Sequence, residues 1–401
     1  MNFLFLYNAL YTGGIETLIL RMSDWLIKEG HSVDLILQKA EGELLADINP
    51  KVNLITLGKH PSLDFIKKYY TNKFKRNYDV IYSFSPSTTW MGLLINNKNS
   101  AIVLNGVYHL YDYLLFADKY KRWIFDKKLP DVNKVFMTPK VHETHEYILK
   151  RKIINPIIWP LPIDTKKYEN IERKPIKYKL VSIGRLETFK TYNFTLLEVV
   201  KNLRQLNYDV SYYIYGEGIM HNLLIEKIKE LQLQNHVFLK GLVPYEKFPE
   251  VLRDAFAFIG MGTSAIEAGL CQVPSITAIA YANEPITHGL IHQLINYNSG
   301  EFNEKENVYN IQDILMKLFE MNHKEYYSLC SESAKILKEQ YDIDKLMNYF
   351  VNDICSGQRK IKNKLCPPLI YLTFSLLKKL ASIAYHFLKN SIFHKKDITI
   401  N

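Results

Sequence analysis

Four short segments carry the residue types that can hold a diphosphate and a sugar. The first is Gly13-Gly14-Ile15-Glu16, set between an apolar run and a helical pattern. Glycine there lets the backbone approach a ligand, and a helix N-terminus offers free N–H groups to an anion. An ordinary tight turn between strand and helix has the same composition. The second is Ser182-Ile183-Gly184-Arg185-Leu186-Glu187-Thr188-Phe189-Lys190, with Gly184 and Arg185 at a strand end and Lys190 at the opening of a helix. Two cations and a helix N-terminus on one loop can neutralise a diphosphate. That matters where a nucleoside diphosphate is the leaving group and charge grows on it as the bond breaks. Solvated surface cations are the plain alternative. The third, Tyr215-Gly216-Glu217-Gly218, is another strand end entering a glycine turn, and by itself no more than a turn. The fourth runs from Gly260, Met261 and Gly262 through Thr263 and Ser264 to Glu267-Ala268-Gly269. Thr263 or Ser264 can cap a short helix carrying Glu267. A carboxylate there can accept hydrogen bonds from the two hydroxyls of a ribose, or it is a capping or exposed helix residue.

Strands and helices must alternate to place these loops. Asn2–Asn8 is an apolar run; Ile15, Leu18, Met22 and Trp25 recur at helical spacing, Gly30 ends that helix, and Val33–Leu37 is the next strand. Uninterrupted apolar strands separated by helices indicate a parallel sheet covered on both faces. Further strands are expected at Val52–Leu57, Val80–Phe84, Ala101–Leu104 and Lys134–Met137. A linker is expected from Trp159 to Lys177, after which the alternation restarts. Strands are expected at Lys179–Ile183, Ser211–Tyr215, Val237–Leu239, Ala257–Ile259 and Val273–Ile276, with helices between them. Residues 311–353 read as helical. Asp342-Ile343-Asp344 reads as a solvated helix start rather than a metal site.

At 401 residues and 47% hydrophobic, the chain suits two domains with substantial cores. Its four cysteines are scattered, so neither a zinc site nor a disulfide framework is expected. The N-terminal run lacks the basic flank and cleavage site of a signal peptide and reads as a buried strand. The net charge of +10 is concentrated after Gly357, where nine Lys and Arg side chains face Asp397 alone. A near-neutral body argues against a nucleic-acid-binding globule. Within that tail, Leu369 to Leu388 forms a wide apolar helical stripe with Lys378, Lys379 and Lys389 on its other side. The uncharged stretch is too short to span a bilayer and fits a helix lying on an anionic membrane surface through residues 357–393; a helix docked on the protein or on a partner has the same pattern.

Taken in order, the four segments resemble the retaining GT-B glycosyltransferases of glycosyltransferase family 4, over roughly residues 1–350. The resemblance rests on Gly13-Gly14-Ile15-Glu16-Thr17, Gly184-Arg185-Leu186 with Lys190, Tyr215-Gly216-Glu217-Gly218, and the segment ending Glu267-Ala268-Gly269. It implies an α/β GT-B fold: two Rossmann-like, doubly wound parallel-sheet domains facing across a cleft, with the amphipathic tail appended. Residues 1–165 would form the acceptor-side domain and 166–356 the nucleotide-sugar domain with helices returning to the first; 357–401 would be the tail. By the same resemblance Arg185 and Lys190 would hold the donor diphosphate, Glu267 the ribose, and Gly14 would let its loop approach the phosphate and sugar. His109, in Gly106-Val107-Tyr108-His109, looks like the family's histidine beside the transferred sugar; a histidine packed among Tyr108, Tyr111 and Tyr113 is the alternative.

Gly13, Glu16, Gly184, Gly216, Glu217, Gly260, Gly262, Thr263 and Ser264 complete the expected substrate-binding set, with no metal or other cofactor. The family usually carries a second glutamate eight positions before the one matching Glu267; here that position is Ile259. The expected activity is sugar transfer, with retention, from a nucleoside-diphosphate donor to a glycan or lipid-linked saccharide in bacterial surface-polysaccharide synthesis. The expected place is the cytoplasm, peripheral on the inner face of the plasma membrane. The alternatives are an inactive homologue that binds nucleotide sugar as a partner subunit, and a GT-B sugar-nucleotide epimerase.

Overall fold

The computed structural model describes residues 1–356 apart from 72, 75, 97–99 and 170. The basic tail and its expected membrane helix lie outside the described residues. The first sheet contains β1 (Asn2–Tyr7), β2 (Ser32–Leu37), β3 (Asn53–Thr56), β4 (Val80–Ser83), β5 (Ile102–Val107), β6 (Lys134–Phe136) and β7 (Ile157–Ile158). Its order is β3-β2-β1-β4-β5-β6-β7, and every pairing is parallel. The apolar run of β1 divides by parity, as a strand covered on both faces must. Phe3 and Phe5 enter one core with Leu18, Ile19 and Met22 of the helix Gly14–Lys28. Leu4 and Leu6 enter the other with Trp90, Met91 and Leu94 of the helix Thr89–Asn96.

The second sheet contains β8 (Lys179–Ile183), β9 (Ser211–Tyr215), β10 (Val237–Leu239), β11 (Ala257–Gly260), β12 (Ser275–Ala278), β13 (Ile286–Leu290) and β14 (Tyr309–Asn310), in the order β10-β9-β8-β11-β12-β13-β14. The wholly parallel sheet expected from the sequence needs correction. The last two strands are antiparallel, β13 to β12 and β14 to β13. No helix separates β12 from β13, so the chain simply turns back; β14, two exposed residues long, leaves no hydrophobic pattern to read. The expected strand Val273–Ile276 lies two residues further on, as β12.

The stretch expected to be a linker is largely structural. Trp159 is buried, its Nε1 donates to the Leu346 carbonyl at 3.2 Å, and Ile163 forms a bridge with Asp342. The helix Ile343–Tyr349 and the turns after it put Met347, Phe350 and Ile354 into the core of the first sheet. Asp342 does start that helix, accepting from Lys345 N at 3.1 Å, but the expectation of a solvated acidic pair is corrected. Asp344 accepts from Trp25 Nε1 at 2.9 Å and Asp342 from Thr165 at 2.7 Å, which fastens the returning chain to the first helix and to the segment between the two sheets. At the rim, Lys140 pairs with Glu304 at 3.0 Å and Lys305 with Glu143 at 3.1 Å.

Candidate active site between the two sheets

Each sheet reverses strand order beside its first strand, β1 against β4 and β8 against β11, and ligands of open α/β sheets bind at such points. At the end of β8, Lys190 Nζ lies directly over Gly184, where any Cβ would collide with it. Arg185 beside it is exposed. Burial and the like charge of Arg185 push the Lys190 amine down to about 8. Glu187 offsets this only in part, so the two cations repel each other, and a diphosphate would relieve them.

The neighbouring loop at the end of β9 braces this one. Gly184 N donates to Tyr215 O and Leu186 N to Glu217 O, both at 2.9 Å. Gly216 stands at φ +144°, and a Cβ there would run into the Gly184 carbonyl. The structure therefore gives Gly216 and the Glu217 main chain a scaffolding contact; the Glu217 side chain is exposed.

In the fourth segment the helix Thr263–Leu270 is capped by Gly262 at φ +68°, with no side-chain cap. This corrects the expected capping role of Thr263 and Ser264. Both fall inside the first turn, and Ser264 Oγ donates back to Met261 O at 3.1 Å. A Cβ on Gly260 would meet the Phe258 ring, so this glycine is needed for packing beneath the loop. Glu267 is 3% exposed, which removes the reading as an exposed helix residue. Its Oε1 accepts from Tyr245 OH at 2.8 Å and from Arg21 Nη1 of the first domain at 3.3 Å. Burial raises the Glu267 carboxyl; Arg21, Tyr245 and Tyr168 oppose that shift. Arg21 itself is buried, and its Nε and Nη2 have no partner.

Across the cleft, the helix Gly14–Lys28 begins at the expected glycine pair. The Cβ position of Gly14 faces Thr263 Oγ1 at 3.5 Å, so the two domains touch at these loops. A Cβ on Gly13 would strike the Glu16 carboxylate. Glu16 is buried and accepts from Tyr7 OH at 3.2 Å. Burial raises its carboxyl, while Arg185 of the second domain and His109 both pull it back. His109 follows β5 on a turn held by Asp112, whose Oδ2 accepts from Tyr108 N at 2.9 Å and His109 N at 3.0 Å. Tyr108 and Tyr113 are buried but His109 is exposed, so the histidine is not packed among those tyrosines. The expected residues Gly14, Glu16, His109, Arg185, Lys190 and Thr263 thus meet from both domains at one cleft.

Sequence reasoning missed Arg21, Tyr245 and Tyr168. One signal existed for Arg21: it interrupts the apolar stripe of Leu18, Met22 and Trp25 with a charge. Among the described residues, no cluster of three or more His, Cys, Asp or Glu side chains is placed to hold a metal ion.

Known proteins with this arrangement are consistent in kind. The sequence model described as Glycosyltransferase Family 4 matches residues 12–167, and that described as Glycosyl transferases group 1 matches residues 164–337. No curated protein sequence matches this one. Among solved structures, the Anabaena protein HepE in complex with UDP and glucose aligns with TM-score 0.66 at 15% identity, over 89% of this chain and 100% of that one. A variant of S. aureus TarM in complex with Fondaparinux, alpha-GlcNAc-glycerol and UDP aligns with TM-score 0.65 at 12% identity, over 89% and 100%. A glycosyltransferase from Rickettsia africae aligns with TM-score 0.68 at 13% identity, over 88% and 98%. At these identities the structures establish the fold, and the two sequence models, end to end along both halves, supply the rest: the chain is a glycosyltransferase of the GT-B fold.

Proposed function

We propose that this enzyme transfers a sugar, with retention of anomeric configuration, from a nucleoside-diphosphate donor to a glycan or lipid-linked saccharide in bacterial surface-polysaccharide synthesis. The observation that carries the reading is the Arg185–Lys190 pair, two crowded cations at the end of β8. Together they would stabilise the charge that develops on the departing diphosphate, the task a divalent ion performs in other transferases. Glu267 would take the ribose, exchanging Arg21 and Tyr245 for its hydroxyls. His109, exposed opposite that loop, would face the transferred sugar. No side chain is placed here as a covalent nucleophile; the leaving phosphate would accept the acceptor's proton on the same face, with both substrates held in position by the protein.

The similar structures support the donor class, since HepE is described with UDP-glucose and TarM with UDP. A further similar structure is a lipopolysaccharide outer core galactosyltransferase, WaaB, aligned with TM-score 0.59 at 11% identity. A membrane-side acceptor is supported by the segment that follows His109. It exposes Leu114, Leu115, Phe116 and Trp123 beside Lys119, Lys121 and Arg122, the composition of an interfacial surface. Among the described residues no helix is long and apolar enough to cross a membrane. We place the enzyme on the inner face of the plasma membrane, assisted by residues 357–393.

The reading as an inactive partner subunit draws on one observation, the apolar Ile259 where the resembling family carries an acid. A thermal-shift screen with UDP, GDP, ADP, dTDP and CMP, with and without magnesium, tests the proposal. One nucleoside diphosphate should raise the melting temperature without metal, because a ligand of the folded state stabilises it, and Arg185→Ala should abolish the shift. No shift with any of the five would remove the donor site.

A further inference from the structure

Ile259 leaves a gap in the chemistry of the cleft. It lies in β11, 0% exposed, in the same core as Leu180, Ile214 and Ile276. No carboxylate therefore rises from the glycine loop to meet the donor sugar. The turn that follows β13 lies against that loop. Gly262 N donates to Ser299 O at 2.6 Å and Ala280 N to Gly300 O at 2.9 Å. A Cβ on Gly300, at φ +137°, would come within 2.7 Å of Met261 Cβ. The turn is braced by Asn298, whose Oδ1 accepts from Gly300 N at 3.1 Å and Glu301 N at 3.0 Å. Asn298 Nδ2 in turn donates to Glu301 O at 3.0 Å and to Glu306 at 2.9 Å.

On this turn stands a buried acid without an ion-pair partner among the described residues. Glu301 is 9% exposed, and its Oε2 accepts from Ser299 N at 3.2 Å. No Lys or Arg among the described residues forms an ion pair with it. Burial raises its carboxyl; the backbone N–H groups of Ser299 and Glu301 oppose the shift, and His109 on the other side of the cleft adds to them. A buried carboxylate with no cationic side chain in contact is costly, and the turn that carries this one lies against the glycine loop.

We propose that Glu301 supplies the carboxylate that binds hydroxyls of the transferred sugar, in the role left vacant at position 259. The assignment rests on the donor reading given above. A carboxylate held by Ser299 N on a braced turn is a fixed acceptor for a sugar hydroxyl, and His109 across the cleft would provide a partner for a second. The sugar is thereby recognised from the turn after β13 instead of from the loop after β11. Donor-sugar selectivity then tracks that turn, which is separate in the chain from the residues proposed to hold the diphosphate and the ribose.

The test uses the full chain and isothermal titration with UDP, GDP and ADP and their glucose conjugates. Wild type should bind one nucleoside diphosphate and its glucose conjugate, and turnover of that conjugate should be measurable as release of the free nucleoside diphosphate. Glu301→Gln keeps an oxygen for Ser299 N and should fold normally. It should bind the nucleoside diphosphate with unchanged affinity but lose about tenfold or more in kcat/KM for the nucleotide sugar. Should Glu301→Gln melt early, Glu301→Asp keeps the charge, withdraws it by one methylene and should show the same split. Equal loss for nucleoside diphosphate and nucleotide sugar would mark a structural turn and overturn the assignment. An effect confined to the acceptor's KM would also overturn it, while wild type that binds none of the six compounds would overturn the donor reading beneath it.

Discussion

On the proposed reading, the amine of Lys190 should make donor affinity a function of pH with a calculable slope. In the free protein it titrates near 8, pushed down by burial and by Arg185. A diphosphate bound there would add counter-charge and return the amine toward the ordinary lysine value of about 10.4. Binding is therefore linked to proton uptake, and the sign follows. Below about pH 7 the amine is charged both free and bound, so affinity is flat; above about pH 8 each molecule bound must take up a proton, so affinity falls. Between about pH 7 and about pH 9 the dissociation constant should rise about tenfold, or about 1.4 kcal/mol. Lys190 is only partly buried by accessible surface, so this is the upper end of the effect. A nucleotide sugar is the right titrant, because its diphosphate has no terminal ionisation in this range. Calorimetry near pH 8 in buffers of different ionisation enthalpy should show uptake of about half a proton per molecule bound. Lys190→Met should weaken binding at neutral pH and remove both the slope and the uptake. A dissociation constant that stays level across the range, or a slope that survives in Lys190→Met, would refute the placement of this amine on the diphosphate.

Two further outcomes are expected. Arg21→Met leaves Glu267 buried without its cation and should destabilise the protein by about 3 kcal/mol in chemical denaturation; a double variant with Glu267→Gln should recover part of the loss, and strict additivity would show that the pair is not coupled. Deleting residues 357–401 should reduce sedimentation with anionic vesicles but leave nucleotide binding intact; undiminished vesicle binding would remove the tail from the membrane contact.

The sequence determined what depends on neighbours along the chain. β8, β9 and β10 have the bounds read from their apolar runs: β8 is buried on both faces and leaves a continuous hydrophobic signature, while β9 and β10 keep large apolar side chains on their half-buried positions as well. The loops at Gly184 and Gly216 were legible for a related reason: glycine directly after such a run marks a strand end where the backbone is closely approached. Tertiary structure decided whatever depends on partners far apart in the chain. Arg21 and Glu267 are 246 residues apart, and no local pattern announces that a cation in the first helix will close on a carboxylate of the second domain. Asp344 reads as solvated until Trp25 is brought to it. Thr263 and Ser264 are good capping residues by type, yet Gly262 takes the cap because Ser299 pins its N–H and fixes where the helix begins. Glu301 lies in a polar stretch with no periodicity. Only the antiparallel return of β13 lays that stretch against the glycine loop, where a surface-like glutamate becomes a buried acid facing His109.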